Sequence, residues 1–307
     1  MSNAATLGGG PDNAKATATL KEQTSLPTDP VVSILCVTFN HAQFIRSALA
    51  GFLNQEVTFA VEVLIHDDAS TDGTQQIVAD FAAQYPNLVR ATLQTENKYS
   101  MGVNVARLLR EQAKGRFIAY CEGDDYWTDP TKLAQQVAYL DAHPEMVMCG
   151  HRAKVLNVVS GKFAKKKRRA REERSLTALD LRAVRYVPRT CTRMVRRKPV
   201  DDPPEMKQCL TKDAFYQSLL GQSGGYGFLK NISPSVYRVH GGGLWSELSL
   251  TKQGENQRAL FDALISYYER IKDERTVKAL VRNRRHALRH LKTHQLRKAV
   301  SGLVFWR

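Results

Sequence analysis

Between residues 31 and 140 short apolar runs alternate with stretches of helical period, and no other feature constrains the fold of this chain as strongly. Val31 to Val37 (VVSILCV) is a continuous apolar run of buried-strand length. Ile45, Ala48, Leu49, Phe52 and Leu53 follow, spaced to share one helix face. Val61 to Ile65 is a second strand, and Ile77, Val78, Phe81 and Tyr85 mark a helix that Pro86 stops. Leu88 to Leu93 and Arg116 to Cys121 read as strands on either side of a helix carrying Val105, Leu108 and Leu109. Leu133, Val137 and Leu140 mark the next helix, with Asp129-Pro130 as its cap and first-turn proline. Such alternation predicts an α/β fold: a mostly parallel, doubly wound sheet with helices on both faces.

The flanks differ from this middle. Residues 1–29 show neither period and are expected to be a disordered tail. Residues 251–307 read as a basic helical extension, with Leu260, Leu264, Tyr268 and Ile271 on one helix face. From Thr276 onward come nine Lys and Arg, three His and no acid, ending in Leu303-Val304-Phe305-Trp306-Arg307. Two readings of that end stay open: docking to an anionic membrane surface, or packing on the core with the basic face in water. A second basic run, Lys162 to Arg174, reads as a solvated loop able to touch an anionic acceptor. Overall, 45 Lys and Arg against 30 Asp and Glu leave +15, which favours acidic partners. The five cysteines are scattered, which suggests a reducing compartment. No apolar run reaches the length of a membrane span and no secretory signal precedes the first strand, so a cytoplasmic location is expected.

Open parallel sheets bind ligands beyond the carboxyl ends of their strands. Three loops therefore matter: Thr38-Phe39-Asn40-His41, His66 to Gly73, and Glu122 to Trp127. Glu122, Asp124 and Asp125 are three neighbouring carboxylates, and a hard divalent cation shared with substrate phosphates is the natural compensation. A solvated acidic loop is the plainer reading. Ser70-Thr71-Asp72-Gly73 is turn and cap chemistry, which leaves Asp67 and Asp68 free to accept base N–H or ribose hydroxyls, with Phe39 as a flat neighbour for a base. No phosphate-cradling glycine motif follows a strand, so the expected ligand is a nucleoside diphosphate held through a metal.

From Val31 to about Ser246 the chain resembles the family 2 glycosyltransferases of the GT-A fold. The likeness is greatest to a bacterial subgroup whose metal loop reads E-G-D-D-Y-W-T-D-P-x-K-L, here Glu122 to Leu133. T-F-N at Thr38 to Asn40, D-D-x-S-T-D-G-T at Asp67 to Thr74, Glu96-Asn97 with Gly102, and Y-R-x-H at Tyr237 to His240 agree in order and spacing. The resemblance implies a catalytic domain over 30–250, with a nucleotide-sugar half (30–150) and an acceptor and base half (151–250). It implies that Thr38, Phe39, Asn40 and Asp68 line the nucleotide site with Asp67 nearby, and that Asp124 is the main ligand of Mn2+ or Mg2+. Glu122 or Asp125 would approach the ribose or metal waters, and Arg238 and His240 the diphosphate or metal.

Asp213 takes the position of the catalytic base. One departure is Lys212 before it, where relatives often carry Glu or Gly; this lysine is expected to tune Asp213 or to contact an anionic acceptor. Trp245 reads as a sugar-stacking or packing residue. The implied reaction is inverting transfer from a nucleotide-sugar donor, UDP-linked by preference, to a saccharide or lipid-linked acceptor in bacterial surface-polysaccharide or glycolipid synthesis. The enzyme would be peripheral at the inner membrane face. Two alternatives remain: a nucleic-acid-binding protein using the basic segments, and a glycosyltransferase-like domain that binds donor without turnover. No nucleic-acid partner is expected, because no recognisable binding module is present and the most ordered loops are acidic.

Overall fold

The structure, a computed structural model, describes residues 18–23, 28–164, 173–243 and 248–303. Its elements, in chain order, are β1 (Ala18–Thr19), β2 (Val32–Thr38), α1 (Ile45–Leu53), β3 (Glu56–Val57), β4 (Val61–Asp67), α2 (Thr74–Gln84), β5 (Val89–Leu93), α3 (Val105–Gln112), β6 (Phe117–Tyr120) and α4 (Lys132–Ala142). They continue with β7 (Met146–Gly150), β8 (Ala153–Asn157), β9 (Lys162–Phe163), α5 (Ala178–Arg182), β10 (Met194–Arg196), α6 (Lys212–Leu220), β11 (Gly225–Phe228), β12 (Ser235–Val239), α7 (Leu250–Arg270) and α8 (Glu274–Leu303).

The central sheet has seven strands in the order β11-β7-β10-β6-β2-β4-β5. All neighbours are parallel except β10, which runs antiparallel to both β6 and β7. The mostly parallel α/β architecture expected from the alternation is therefore present. Side chains alternate along a strand, so Val32, Ile34 and Cys36 of β2 enter one apolar core, with Phe52, Val63, Ile65 and Val78. Leu35 and Leu64 enter a second core, with Leu109, Phe215 and Leu264. A strand buried on both faces favours apolar residues on both, which is why VVSILCV lacks alternation. Pairing of Thr38 with Asp67 brings the ends of β2 and β4 level. A three-stranded sheet, β12-β8-β9, stands beside this frame, with β12 parallel to β8. Tyr126 and Val236 exchange backbone hydrogen bonds (3.2 and 2.9 Å), tying the acidic loop after β6 to β12.

Three expectations are corrected. The leader is not disordered throughout: β1 pairs with β3, and Leu20, on the single 3-10 turn that follows, is 2% exposed. The buried Leu20 side chain and the Gln23 amide, which donates to the carbonyls of Val61 (3.0 Å) and Asn87 (2.7 Å), help to dock it. Asp129 does not cap α4 from inside. It accepts from the Thr131 N–H (2.9 Å) just before the helix and from the Ser233 N–H (2.6 Å) of the second half.

The C-terminal extension packs on the core where it begins, one of the two readings left open for it, and one residue of its expected face is corrected. Leu260, Phe261, Leu264 and Tyr268 of α7 and Leu280 of α8 are buried, and the Tyr268 hydroxyl donates to the Ser218 carbonyl (2.9 Å). Ile271, read as part of that helix face, lies just past the end of α7 and is 40% exposed. Most of the basic run after Lys162, Trp245 and the terminal Val304 to Arg307 lie outside the described residues.

Candidate active site

The strand ends of β2, β4 and β6 converge on one cleft of about 2320 Å³, lined among others by Thr38, Phe39, Asp68, Glu122, Asp124, Asp213 and Arg238. Asn40, Asp67, Asp125 and His240 are not on its lining but support it. Close approach of the acidic loop needs Gly123: its N–H donates to the Val37 carbonyl (2.9 Å), and a Cβ there would sit 2.6 Å from Thr38 Oγ1. Below the loop, Lys132 is fully buried, with its Nζ 3.9 Å from the Trp127 ring centroid and donating to Gln136 Oε1 (2.7 Å). The Trp127 indole donates to the Cys191 carbonyl (2.8 Å). The loop thus stands on a rigid, polar floor.

Asp67 and Asp68 are adjacent in sequence but face different partners. Asp67 is fully buried: Oδ1 accepts from the Ser70 N–H (2.9 Å) and Gln75 Nε2 (2.8 Å), and Oδ2 from Ser70 Oγ (2.5 Å). Its carboxylate is a brace for the loop. Asp68 turns to the cleft, where the N–H groups of Lys98 (2.8 Å) and Tyr99 (3.0 Å) hold its two oxygens. Asn40 adopts φ +54° and clasps the same loop, its N–H donating to Ser70 Oγ and its Oδ1 accepting from the Thr71 N–H, both at 2.8 Å. Phe39 is 43% exposed and lines the cleft.

Asp124 is the hub. Its Oδ2 lies 3.0 Å from His240 Nε2 and 4.0 Å from His41 Nε2. Arg238 donates from Nη1 to the Asp124 carbonyl (2.8 Å), from Nη2 to Ser47 Oγ (3.0 Å) and from its N–H to Asp125 Oδ1 (2.9 Å), and stacks over Tyr126 at 4.4 Å. Burial alone would raise Asp124, but the His240 hydrogen bond and the nearby His41 outweigh it and hold Asp124 below the usual carboxylate value. The same hydrogen bond holds His240 above the usual imidazole value. Glu122, by contrast, is pushed up to about 8 by burial and then by the charges of Asp124 and Asp213. Asp125 is raised well above the usual value, by burial first and then by the charges of Asp124 and Glu122.

Ligand atoms of Glu122, Asp124 and Asp125 lie within 4.8 Å of one another, as do those of His41, Asp124 and His240. Burial and mutual repulsion drive Glu122 and Asp125 toward their neutral forms beside Asp124, a deficit of positive charge that the nearby cations do not offset. A divalent cation fits that deficit, and the carboxylate oxygens are donors of the kind that hard divalent cations take.

Across the cleft Asp213 is the second residue of α6, its side chain 50% exposed, with Arg193 Nη2 at 3.3 Å. Lys212 does not face it: Lys212 Nζ donates to the Gly102 carbonyl (3.0 Å), joining α6 to the loop that holds Asp68. The cation beside Asp213 is thus Arg193, which no local pattern marks because the two are 20 residues apart. His41 was legible only as the residue after Thr38-Phe39-Asn40; its approach to Asp124 depends on the tertiary fold.

Residues 33–202, more than half of the chain, match the protein-family model for Glycosyl transferase family 2. Among curated proteins, an uncharacterized protein of Mycobacterium tuberculosis (strain ATCC 25618 / H37Rv) is 38% identical over 216 residues, 70% of this chain and 60% of that protein. The UDP-Glc:alpha-D-GlcNAc-diphosphoundecaprenol beta-1,3-glucosyltransferase WfaP of Escherichia coli is 31% identical over 114 residues, 36% of this chain and 41% of that protein. The chain spans about 60% of the length of the mycobacterial relative. Among solved structures, residues 1–349 of S. aureus TarS in complex with UDP-GlcNAc align with TM-score 0.56 at 19% identity, covering 76% of this chain and 66% of that one. The mannosyltransferase PcManGT of Pyrobaculum calidifontis, in complex with GDP-Man and Mn2+, aligns with TM-score 0.54 at 15% identity, covering 93% and 84%. At these identities the structural likeness is one of fold.

Proposed function

The chain belongs to glycosyl transferase family 2, and from that membership we propose that it transfers a sugar, with inversion, from a nucleotide-diphosphate donor to a hydroxyl of a saccharide or lipid-linked acceptor. The observation that carries this reading is Asp124, tied to His240 and flanked by Glu122 and Asp125, in one cleft with the exposed carboxylate of Asp213. Further support comes from two proteins of the same fold, solved with UDP-GlcNAc and with GDP-Man and Mn2+. UDP is the expected nucleotide and bacterial surface polysaccharide or glycolipid synthesis the expected setting. Among the described residues no helix is long and apolar enough to cross a membrane. A cytoplasmic enzyme at the inner membrane face accords with that and with the basic α8.

In this mechanism Asp68 and Thr38 hold the nucleoside and Phe39 covers its base. Asp124, with His240 beside it, would hold a divalent cation, and a cation there would supply Lewis-acid neutralisation of the leaving diphosphate. Arg238, fixed by Ser47 and the Asp124 carbonyl, adds a preorganised positive charge at the same end. Asp213, oriented by Arg193, accepts the proton of the acceptor hydroxyl. As that oxygen bonds to the anomeric carbon from the face opposite the nucleotide, the bond to the diphosphate breaks and its electron pair leaves with the nucleoside diphosphate.

The test is a panel of nucleotide sugars with Mn2+ or Mg2+, scored for hydrolysis and transfer with and without chelator. Activity that stops on chelation and collapses in Asp124→Ala and Asp213→Asn is expected. Activity retained in both variants would overturn the site assignment. The alternative of binding without turnover loses its sequence motive, because Lys212 is directed to Gly102 and leaves Asp213 accessible.

A further inference from the structure

The cleft, about 2320 Å³, exceeds the roughly 300–1,000 Å³ of a typical single-ligand pocket. Asp68, Glu122, Asp124 and Asp213 mark the end described above. A second stretch of wall is the segment from Ala183 to Arg193, which leads from α5 to β10. One end of it touches α8, where Asn283 Nδ2 donates to the Ala183 carbonyl (2.9 Å); the other meets Asp213 through Arg193. Arg185, Arg189 and Arg193 recur along it at every fourth residue and all line the cleft, as does Arg282 of α8.

These arginines differ in what holds them. Arg185 pairs with Asp180 (2.9 Å) and Arg193 with Asp213 (3.3 Å). Arg189 is exposed, lies 4.2 Å from the centroid of the Tyr237 ring, and has no carboxylate partner among the described residues. A guanidinium stacked on an aromatic face keeps its N–H donors directed outward in a fixed plane, the geometry that matches two phosphate oxygens at once. Placed on the Asp213 wall, it is ready for an anion brought from outside.

We infer that Arg189 is the contact for a phosphate or diphosphate group carried by the acceptor, with Arg282 continuing the cationic track toward α8. The inference rests on the glycosyltransferase reading: the acceptor hydroxyl sits at Asp213, its phosphate at Arg189. Two carriers share this chemistry, a soluble sugar phosphate and a polyprenyl-diphosphate lipid.

Inorganic pyrophosphate titrated into the full chain in EDTA, followed by calorimetry, tests it without a metal complex. Saturable binding should weaken about tenfold in Arg189→Ala, the loss of one charge-assisted pair. It should recover in part in Arg189→Lys, with melting curves confirming that each variant folds. Unaltered binding in Arg189→Ala, or a loss centred on Arg238→Ala, overturns the inference; the latter would place the anion with the donor diphosphate. Co-sedimentation with phosphatidylcholine vesicles, with and without polyprenyl diphosphate, separates the carriers. Arg189-dependent capture by the loaded vesicles assigns the lipid, and pyrophosphate binding without capture assigns a soluble acceptor; both support the contact. Hydrolysis of nucleotide sugars by the unaltered protein is read in parallel, and its absence overturns the glycosyltransferase reading independently of the titration.

Discussion

Asp124 and Asp213 face the same cleft under opposite conditions. Asp124 stands in a loop held from every side: His240 on its carboxylate, Arg238 on its carbonyl, Gly123 against Val37, and Lys132 with Trp127 beneath. Asp213 opens α6 half in solvent, with Arg193 as its one ion pair among the described residues. The contrast fits the two demands on such a site. Charge developing on a departing diphosphate is best met by groups that do not reorganise. A group that must meet a changing acceptor, take a proton and lose it again has to stay accessible.

The sharpest test of this contrast separates binding from turnover. Asp124→Ala should lower turnover by about 10³-fold or more and remove metal-dependent nucleotide binding in calorimetry. Asp213→Asn should lower turnover by about 10²-fold or more and leave nucleotide binding within about twofold of the unaltered protein. Equal loss of binding in both would erase the distinction.

Asp67 probes the rigid side from behind. Asp67→Ala strands the Ser70 N–H and the Gln75 amide, and should cost about 1–3 kcal/mol of stability in denaturant titrations, with weaker nucleotide binding as a consequence. Unchanged stability with abolished binding would make Asp67 a direct ligand. Lys132 tests the floor. Burial pushes its ammonium from 10.5 down to about 8. The unfolded chain therefore holds more protons between those values, and stability rises with pH across that window by at most about 1.4 kcal/mol per pH unit. Lys132→Met should remove that rise; a slope that persists would locate the proton elsewhere. The smallest effect belongs to Lys212. Its bond to Gly102 is exposed, so Lys212→Ala should cost less than about 1 kcal/mol and change turnover by under about threefold. A larger loss would mean that the accessible side depends on the donor loop.

Much of the frame was legible because burial on both sheet faces leaves a plain signature. The runs at β2 and β4 and the helix faces of α1, α2 and α4 fall where their periods place them. β10 was not legible: three residues, one of them Arg196, carry no period, and its partners Ala119 and Cys149 lie some 75 and 45 residues earlier. At the site, residue chemistry singled out the acidic loops, and the fold brings Asp68, Glu122, Asp124, Asp213 and Arg238 to one cleft. It could not separate Asp67 from Asp68, because two neighbouring carboxylates look alike until the strand end turns one inward to Ser70. Nor could it find Arg189 or Arg193, whose significance lies in contacts with Tyr237 and Asp213.

The docked leader has a practical reach beyond its size. The Leu20 N–H donates to the Gln55 carbonyl (3.1 Å), and the Gln55 side chain donates to the Asp129 carbonyl (2.7 Å) and accepts from the Leu133 N–H (3.0 Å). Gln55 is thus a rivet between the first turn of the leader and the segment that carries the acidic loop into α4. Anyone trimming this protein for expression at residue 28, or splicing a purification tag there, removes the cover of that rivet. The damage would surface some hundred residues downstream, as a loosened acidic loop.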